Sequence, residues 1–263
     1  RIELLKSLLI EDKYSSKTMI CEKTGEEIIE QMKKLGFISK ENINDRISLT
    51  NLEAAKLSFY RNNISHLLIF ESLICGFFQY QKEIAKDELN QSIKMIYPFL
   101  KEEFFLKWDE TELNQLIELK LKKLTEQNLI FEDSNIFKRP DFKSKEFYET
   151  QALGKLVQPS IDRFYVLISQ LWKNSREHIS RNVLEKNSLE ILKNLEKTQA
   201  RLTPEFSEKW MFDVFLSRLI ENKYVREDDA GMLYPTRITQ KLEKDAVKFL
   251  EPNWLKELSK GAH

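Results

Sequence analysis

Glycine is the first scarcity: 6 in 263 residues, where ordinary usage gives roughly 18. So few glycines leave little room for tight turns or for a loop that cradles phosphate. Neither G-x-G-x-x-G nor G-x-x-x-x-G-K-[ST] occurs. Cysteine is limited to Cys21 and Cys75, which form no metal or redox spacing and read as two reduced core thiols. Net charge is missing too, with 42 basic and 42 acidic residues. Phosphate binding draws on a basic excess, so nucleic acid is not an expected partner. No long apolar run is present. The nearest approach, Ile64 to Tyr80, is interrupted by Ser65, His66, Glu71, Ser72 and Gln79 and falls short of the ~20 residues a membrane span needs. It reads as a buried helix, with an interfacial membrane contact as the alternative. Nothing at Arg1–Leu9 resembles a signal peptide, and a chain opening on arginine reads as processed or cut from something longer.

What is present is helical periodicity. Ile2, Leu5, Leu8 and Leu9 suit a first helix. Gly25 to Leu35 suits a second, stopped by Gly36. A long helical segment follows from Leu52 to Lys86, then one to Tyr97 that Pro98 ends or kinks. Asp109 or Thr111 caps the next helix, whose apolar stripe is Leu113, Leu116, Ile117, Leu121 and Leu124. Further helices are expected at Gln151–Trp172, Asn187–Gln199, Pro204–Glu221 and Thr236–Leu250, with Thr203–Pro204 as a cap.

Three times a helix runs into two short β-like runs joined by a polar turn. These pair Phe37–Ile38 with Arg46–Leu49, Leu129–Phe131 with Asn135–Phe137, and Tyr224–Arg226 with Met232–Tyr234. The expected fold is mainly α: a multi-helix domain with short β-hairpins in winged-helix-like corners. Residues 1–100 and 101–263 are its two parts.

The chemistry-bearing residues are few. Of the three histidines, His263 lies at the terminus, and His178 sits in the polar string after Asn174, which reads as a solvated loop or helix end. Neither has a metal-ligand partner at usable spacing, and H-E-x-x-H and G-x-S-x-G are absent. His66 and Glu71 spell H-x-x-x-x-E. On a continuous helix they stand about 140° apart around the axis, too far to form an acid–base pair. Asp109–Glu110 and Asp228–Asp229 read as solvated turns. Phe104 to Trp108 reads as core, and Lys120, Lys122 and Lys123 as the wet face of their helix. No catalytic or metal-binding residue is assigned.

Two blocks point further. Tyr60-Arg61-Asn62-Asn63-Ile64-Ser65-His66 resembles the Y-R-N-N-I-x-H segment of the bacterial membrane-bound sn-glycerol-3-phosphate 1-O-acyltransferases, and the match continues through Leu67-Leu68 and Ser72-Leu73. Tyr97-Pro98-Phe99-Leu100-Lys101, with Glu103 to Asp109 and then Glu112-Leu113, resembles the family's Y-P-x-L-K-x-E-L-F-L-R-W-x-x-x-E-L. Weaker echoes are Glu126–Ile130 with x-Q-G-L-I, Asp162–Tyr165 with L-x-R-Y, Pro204–Phe206 and Lys209 with P-E-F-F-D-K, and Asn222–Val225 with E-G-Y-I. In this reading Glu71 replaces a family proline, and Asn128 and Asn222 replace glycines.

The resemblance covers Leu4 to Leu250 and implies the region that follows the catalytic domain. The family's H-x-x-x-x-D motif has no counterpart in this sequence. The parent enzyme would transfer a fatty acyl group from acyl-ACP or acyl-CoA to the sn-1 hydroxyl of glycerol 3-phosphate, making lysophosphatidate. It would work at the cytoplasmic face of the inner membrane, with no cofactor or metal. The partners implied are the upstream catalytic domain, those substrates and the membrane surface. This region would be structural or regulatory, supporting the catalytic domain or shaping an acyl channel. Arg61, Asn62, Asn63 and His66 are the candidates for contact with substrate phosphate or with that domain. The competing expectation is a non-enzymatic winged-helix-like binding module.

Overall fold

A computed structural model describes residues 1–11, 15–38, 49–176, 178–199 and 209–250. The chain divides into two compact units, one over Arg1–Ile69 and one from Phe70 onward.

The first unit holds α1 (Ile2–Glu11), α2 (Gly25–Lys34) and α3 (Asn51–Ser65). Thr24 and Glu27 close a reciprocal cap at the start of α2, and Thr50 and Glu53 do the same for α3. Gly36 adopts φ 70° and ends α2, while Phe37 N donates to Met32 O at 3.0 Å. The hairpin expected around residues 39–48 lies outside the described residues, as does the Thr203–Pro204 cap.

The second unit repeats one order twice. First come α4 (Ile69–Phe77), β1 (Glu83–Ala85), α5 (Lys86–Phe104), α6 (Leu113–Glu126), β2 (Phe131–Asp133) and β3 (Ile136–Lys138). After α7 (Lys145–Gly154) come α8 (Gln158–Lys173), β4 (Ile179–Ser180), α9 (Arg181–Gln199), α10 (Lys209–Glu221), β5 (Val225–Glu227), β6 (Met232–Pro235) and then α11 (Arg237–Ala246). Each set makes a three-stranded antiparallel sheet, in the orders β1-β3-β2 and β4-β6-β5. The lone strand before the second helix pairs with the last strand of the hairpin. This is winged-helix order, and it makes the fold mainly α as expected.

The turns explain the hairpins. Ser134 and Asn135 both have positive φ, the backbone of a tight two-residue connection whose twist matches the strands. In the second hairpin the Asp228 carboxylate accepts from Ala230 N at 3.0 Å, Met232 N at 2.8 Å and the Tyr234 hydroxyl at 2.9 Å.

The core of this unit sits around α8, which is buried on nearly every side. Phe99 of α5, Phe164 of α8 and Phe215 of α10 meet with centroids 4.3 to 6.2 Å apart. Phe70 packs on Tyr97 at 5.2 Å and edge-on against Trp108 at 5.6 Å, and the Tyr97 hydroxyl donates to Trp108 O at 2.7 Å. α7 rests on α4 through reciprocal amides: Gln151 Nε2 donates to Phe78 O at 2.8 Å and Gln79 Nε2 to Gln151 O at 3.0 Å. At that crossing Gly154 lies so close to Cys75 that a Cβ would meet its carbonyl oxygen at 2.8 Å.

Several expectations are corrected. Leu52–Lys86 is not one helix. It breaks after Ser65, where Leu67 N bonds Ile64 O and Leu68 N bonds Ser65 O in tightened turns. The Ser65 hydroxyl also donates back to Arg61 O at 2.8 Å, a contact that bends helices. Pro98 does not end its helix: α5 runs on to Phe104, and burial of Tyr97, Phe99 and Leu100 holds it there despite the missing amide donor. Gln151–Trp172 is two helices, parted by the turn before Gln158. Cys75 is buried but Cys21 is exposed. Phe105 is 82% exposed, because it takes the left-handed C-cap of α5 and swings out of the core. Lys120 and Lys123 are not wet. Both are buried on α6, while Lys122 is exposed.

The two substituted glycine positions divide. Asn128 has φ 57°, a left-handed conformation that asparagine tolerates better than most residues. Asn222 does not stand in that conformation. Its neighbour Lys223 does, at φ 60°, because Lys223 N and Tyr224 N close the end of α10 onto Ile220 O and Leu219 O.

Candidate functional site

The sequence candidates gather at one helix end. Arg61, Asn62 and Asn63 lie in the last turns of α3, and His66 is its C-cap. Asn62 and Asn63 are exposed, Arg61 and His66 half-buried. The Arg61 guanidinium donates to Asn62 Oδ1 from Nε at 3.2 Å and from Nη2 at 2.9 Å. That fixes a planar cation beside two amides at the surface, a set able to receive an oxyanion or a carboxylate. Burial holds the His66 imidazole below its usual range, opposed by a backbone bond with Asn63 that raises it. Tyr60 and Ile64 are each 53% exposed, so the polar set is interleaved with uncovered apolar surface.

Also in this unit, a groove of about 910 Å³ opens among the described residues, its apolar lining including Ile2, Ile29, Met32 and Leu57.

Glu71 is occupied elsewhere. Lys120 Nζ donates to Glu71 Oε1 at 2.6 Å, with side chains only 3% and 1% exposed. The carboxylate of the H-x-x-x-x-E run thus belongs to an ion pair that ties α4 to α6. A second buried pair joins Arg163 of α8 to Glu103 of α5, where Ser160 Oγ also donates to Glu103 Oε1 at 2.6 Å. Gln158 Nε2 donates to Asp162 Oδ1 at 2.8 Å within α8. Sequence reasoning missed these pairs. The one available signal was charge at positions that the apolar stripes of α6 and α8 should bury. Among the described residues no group of three or more histidine, cysteine or acidic side chains is placed to hold a metal. His178 is exposed and stacks on Tyr234 at 4.2 Å. His263 lies outside the described residues.

Fold and site together define a mainly helical region that includes two sets of elements in winged-helix order, with an Arg–Asn–Asn helix end and buried ion pairs between helices. The chain belongs to the glycerol-3-phosphate acyltransferase C-terminal region family, whose model matches residues 1–228. It is 27% identical over 253 residues to the glycerol-3-phosphate acyltransferase of Pseudomonas fluorescens strain Pf0-1, covering 95% of this chain. It is 27% identical over 234 residues to that of Pseudomonas putida strain W619, and 26% over 253 residues to that of Ectopseudomonas mendocina. The chain spans 30% of the length of the first of these relatives, 28% of the second and 31% of the third.

Proposed function

We propose that this chain is the non-catalytic C-terminal part of an enzyme that moves a fatty acyl group from acyl-ACP or acyl-CoA to the sn-1 hydroxyl of glycerol 3-phosphate, giving lysophosphatidate. The observation that carries the reading is the family match over residues 1–228, in a chain that makes up about 30% of its relatives. It is supported by the absence of H-x-x-x-x-D from the sequence and by the engagement of Glu71 with Lys120. In this reading the catalytic dyad is supplied from outside the chain. The chain itself supports that domain, and its apolar groove has a lining suited to an acyl tail. The polar end of α3, with Arg61, Asn62, Asn63 and His66, meets the catalytic domain or a substrate phosphate. The parent is peripheral, at the cytoplasmic face of the inner membrane. No helix among the described residues is long and apolar enough to cross a membrane.

The winged-helix order keeps a binding module in view as a second reading. Two observations weigh against nucleic acid as its ligand. α10 packs against α5 through Phe215 on Phe99 and the Arg218–Glu102 pair. The turns of the two hairpins carry Asp133, Asp228 and Asp229 rather than bases.

The test is Arg61→Ala in the full-length parent enzyme. Acyl transfer is expected to fall several-fold at an unchanged melting temperature, because Arg61 stands in the last turns of α3 outside the buried core. Normal activity overturns the role given to α3. Acyl transfer by the 263-residue chain alone overturns the non-catalytic reading.

A further inference from the structure

α11 gathers its exposed cations on one side. At about 100° per residue, Arg237, Lys241 and Lys244 fall within an arc of roughly 60°, on the far side of the helix from the buried Thr239, Leu242 and Ala246. That buried face rests on α8. All three cations are exposed, and among the described residues none of them takes part in a salt bridge or a side-chain hydrogen bond. Ile238, 46% exposed, adds apolar surface beside the row.

The acids of this segment are engaged or turned away. Asp245 Oδ1 accepts from Lys248 Nζ at 2.8 Å, and Lys248 also pairs with Glu88 of α5 at 2.6 Å. Glu243 stands at least about 100° around the helix from each cation of the row. It is half-buried and faces Lys173 of α8 as well as Lys244, and burial raises its carboxyl above the usual range. Setting aside the Lys248 pairs leaves Arg237, Lys241 and Lys244 against Glu243 alone. Nor does the row serve the helix. Thr236 and Thr239 cap its start with hydroxyls, and its first turn holds Arg237 and no acid. A cation there meets the positive end of the helix dipole, an unfavourable placement that a carboxylate from outside offsets.

The chemistry of the face selects its partner. A helix that lies in a bilayer surface offers its apolar side, and the apolar side of α11 is spent on α8. Nucleic acid is disfavoured because the hairpin leading directly into α11 carries Asp228 and Asp229 at its turn. The row spans roughly 10 Å, a length that matches carboxylates on two successive turns of a partner helix. We propose that the outer face of α11, through Arg237, Lys241 and Lys244, docks an acidic protein helix, and that in the parent enzyme the partner is the carrier-protein form of the acyl donor. Acyl carrier protein, a small acidic helical protein, supplies such a surface. The proposal rests on the acyl-transfer reading above and deepens it by naming where that donor docks.

The test measures binding of fluorescently labelled acyl carrier protein to the 263-residue chain by anisotropy. Binding is expected at low salt and is lost at high salt. Arg237→Glu and Lys241→Glu should each weaken it roughly tenfold. Lys122→Glu, the same charge change at an exposed site on α6, should leave it as it was. In the full-length parent, Lys241→Glu should raise KM for acyl-ACP about tenfold and leave kcat unchanged, with no effect on either constant for acyl-CoA. No binding by the wild-type chain overturns the proposal, as do α11 variants that bind as tightly as wild type. Equal loss of turnover with both donors overturns it too, since that marks structural damage rather than a lost dock. If the α11 variants lose binding to a DNA duplex or to anionic vesicles but not to the carrier, the partner is wrong and the proposal falls. The acyl-transfer reading is decided separately by the full-length parent with acyl-CoA and glycerol 3-phosphate. A parent active with acyl-CoA, beside a chain that ignores the carrier, loses the docking proposal alone. A parent that transfers from neither donor loses the reading itself.

Discussion

Replacing Lys120 with methionine keeps most of the aliphatic volume of the side chain but strands the Glu71 carboxylate. That carboxylate is 1% exposed, and Lys120 Nζ lies 2.6 Å from it. Removing one member of a buried pair costs about 3–5 kcal/mol, because the remaining charge has lost both water and partner. Against a typical domain stability of about 5–15 kcal/mol, that is a large fraction. In urea, at a slope of about 2–3 kcal/mol per molar, the midpoint should fall by roughly 1–2 M. Glu71→Leu removes the carboxylate that lies 2.6 Å from the Lys120 ammonium. The double variant Glu71→Leu/Lys120→Met should recover part of the loss, with a coupling of about 1–3 kcal/mol in a double-mutant cycle. Circular dichroism at 222 nm follows both. Single variants that cost less than about 1 kcal/mol, or losses that simply add, would refute the claim that this pair is dry and mutually dependent.

Three further outcomes can be measured. Lys223→Gly should raise stability by about 0.5–1 kcal/mol, since relief of a left-handed lysine exceeds the extra freedom glycine has when unfolded; a lower melting temperature counts against it. Gly154→Ala should destabilise by about 1–3 kcal/mol, because its methyl would press on the Cys75 carbonyl and the Gln79 amide where α7 crosses α4, and an unchanged melt would show that the crossing has slack. Asp228→Ala should lower the melting temperature at neutral pH, with the difference shrinking in acid. The bonds from Met232 N and the Tyr234 hydroxyl hold the Asp228 carboxyl below its usual range. Its contribution is thus in place above the ordinary aspartate pKa and is lost as pH falls through the lowered folded value; a pH-independent difference would contradict this.

Much of the helical framework was legible because long amphipathic stripes and stop signals are local. Gly36 ended α2 as its backbone freedom requires, and the polar stretches Glu132–Ser134 and Asp228–Gly231 marked both described hairpins, the first of them too early, since Glu132 and Asp133 lie in β2 and the turn residues are Ser134 and Asn135. The lone strands β1 and β4 escaped notice, since three and two residues are too few for a period and their partners lie far along the chain. The break after Ser65 was hidden for lack of glycine or proline there. Lys120 and Lys123 misled because lysine on a helix is ordinarily solvated, and only the packing of α4 onto α6 shows what meets Lys120. The family was legible from two contiguous blocks. The helix end at Arg61–His66 came from one of them.

The sheet register also sets an order of assembly during synthesis. Ile179 finds its partner only at Leu233, and Ile84 only at Phe137, each about fifty residues later. A nascent chain halted before β6 therefore leaves β4 as an open edge and, if it stops ahead of α10, the rings of Phe99 and Phe164 without Phe215. On the ribosome the first winged-helix unit can close while the second is still being made. C-terminal truncations should accordingly accumulate as chaperone clients or aggregates rather than as shorter folded proteins.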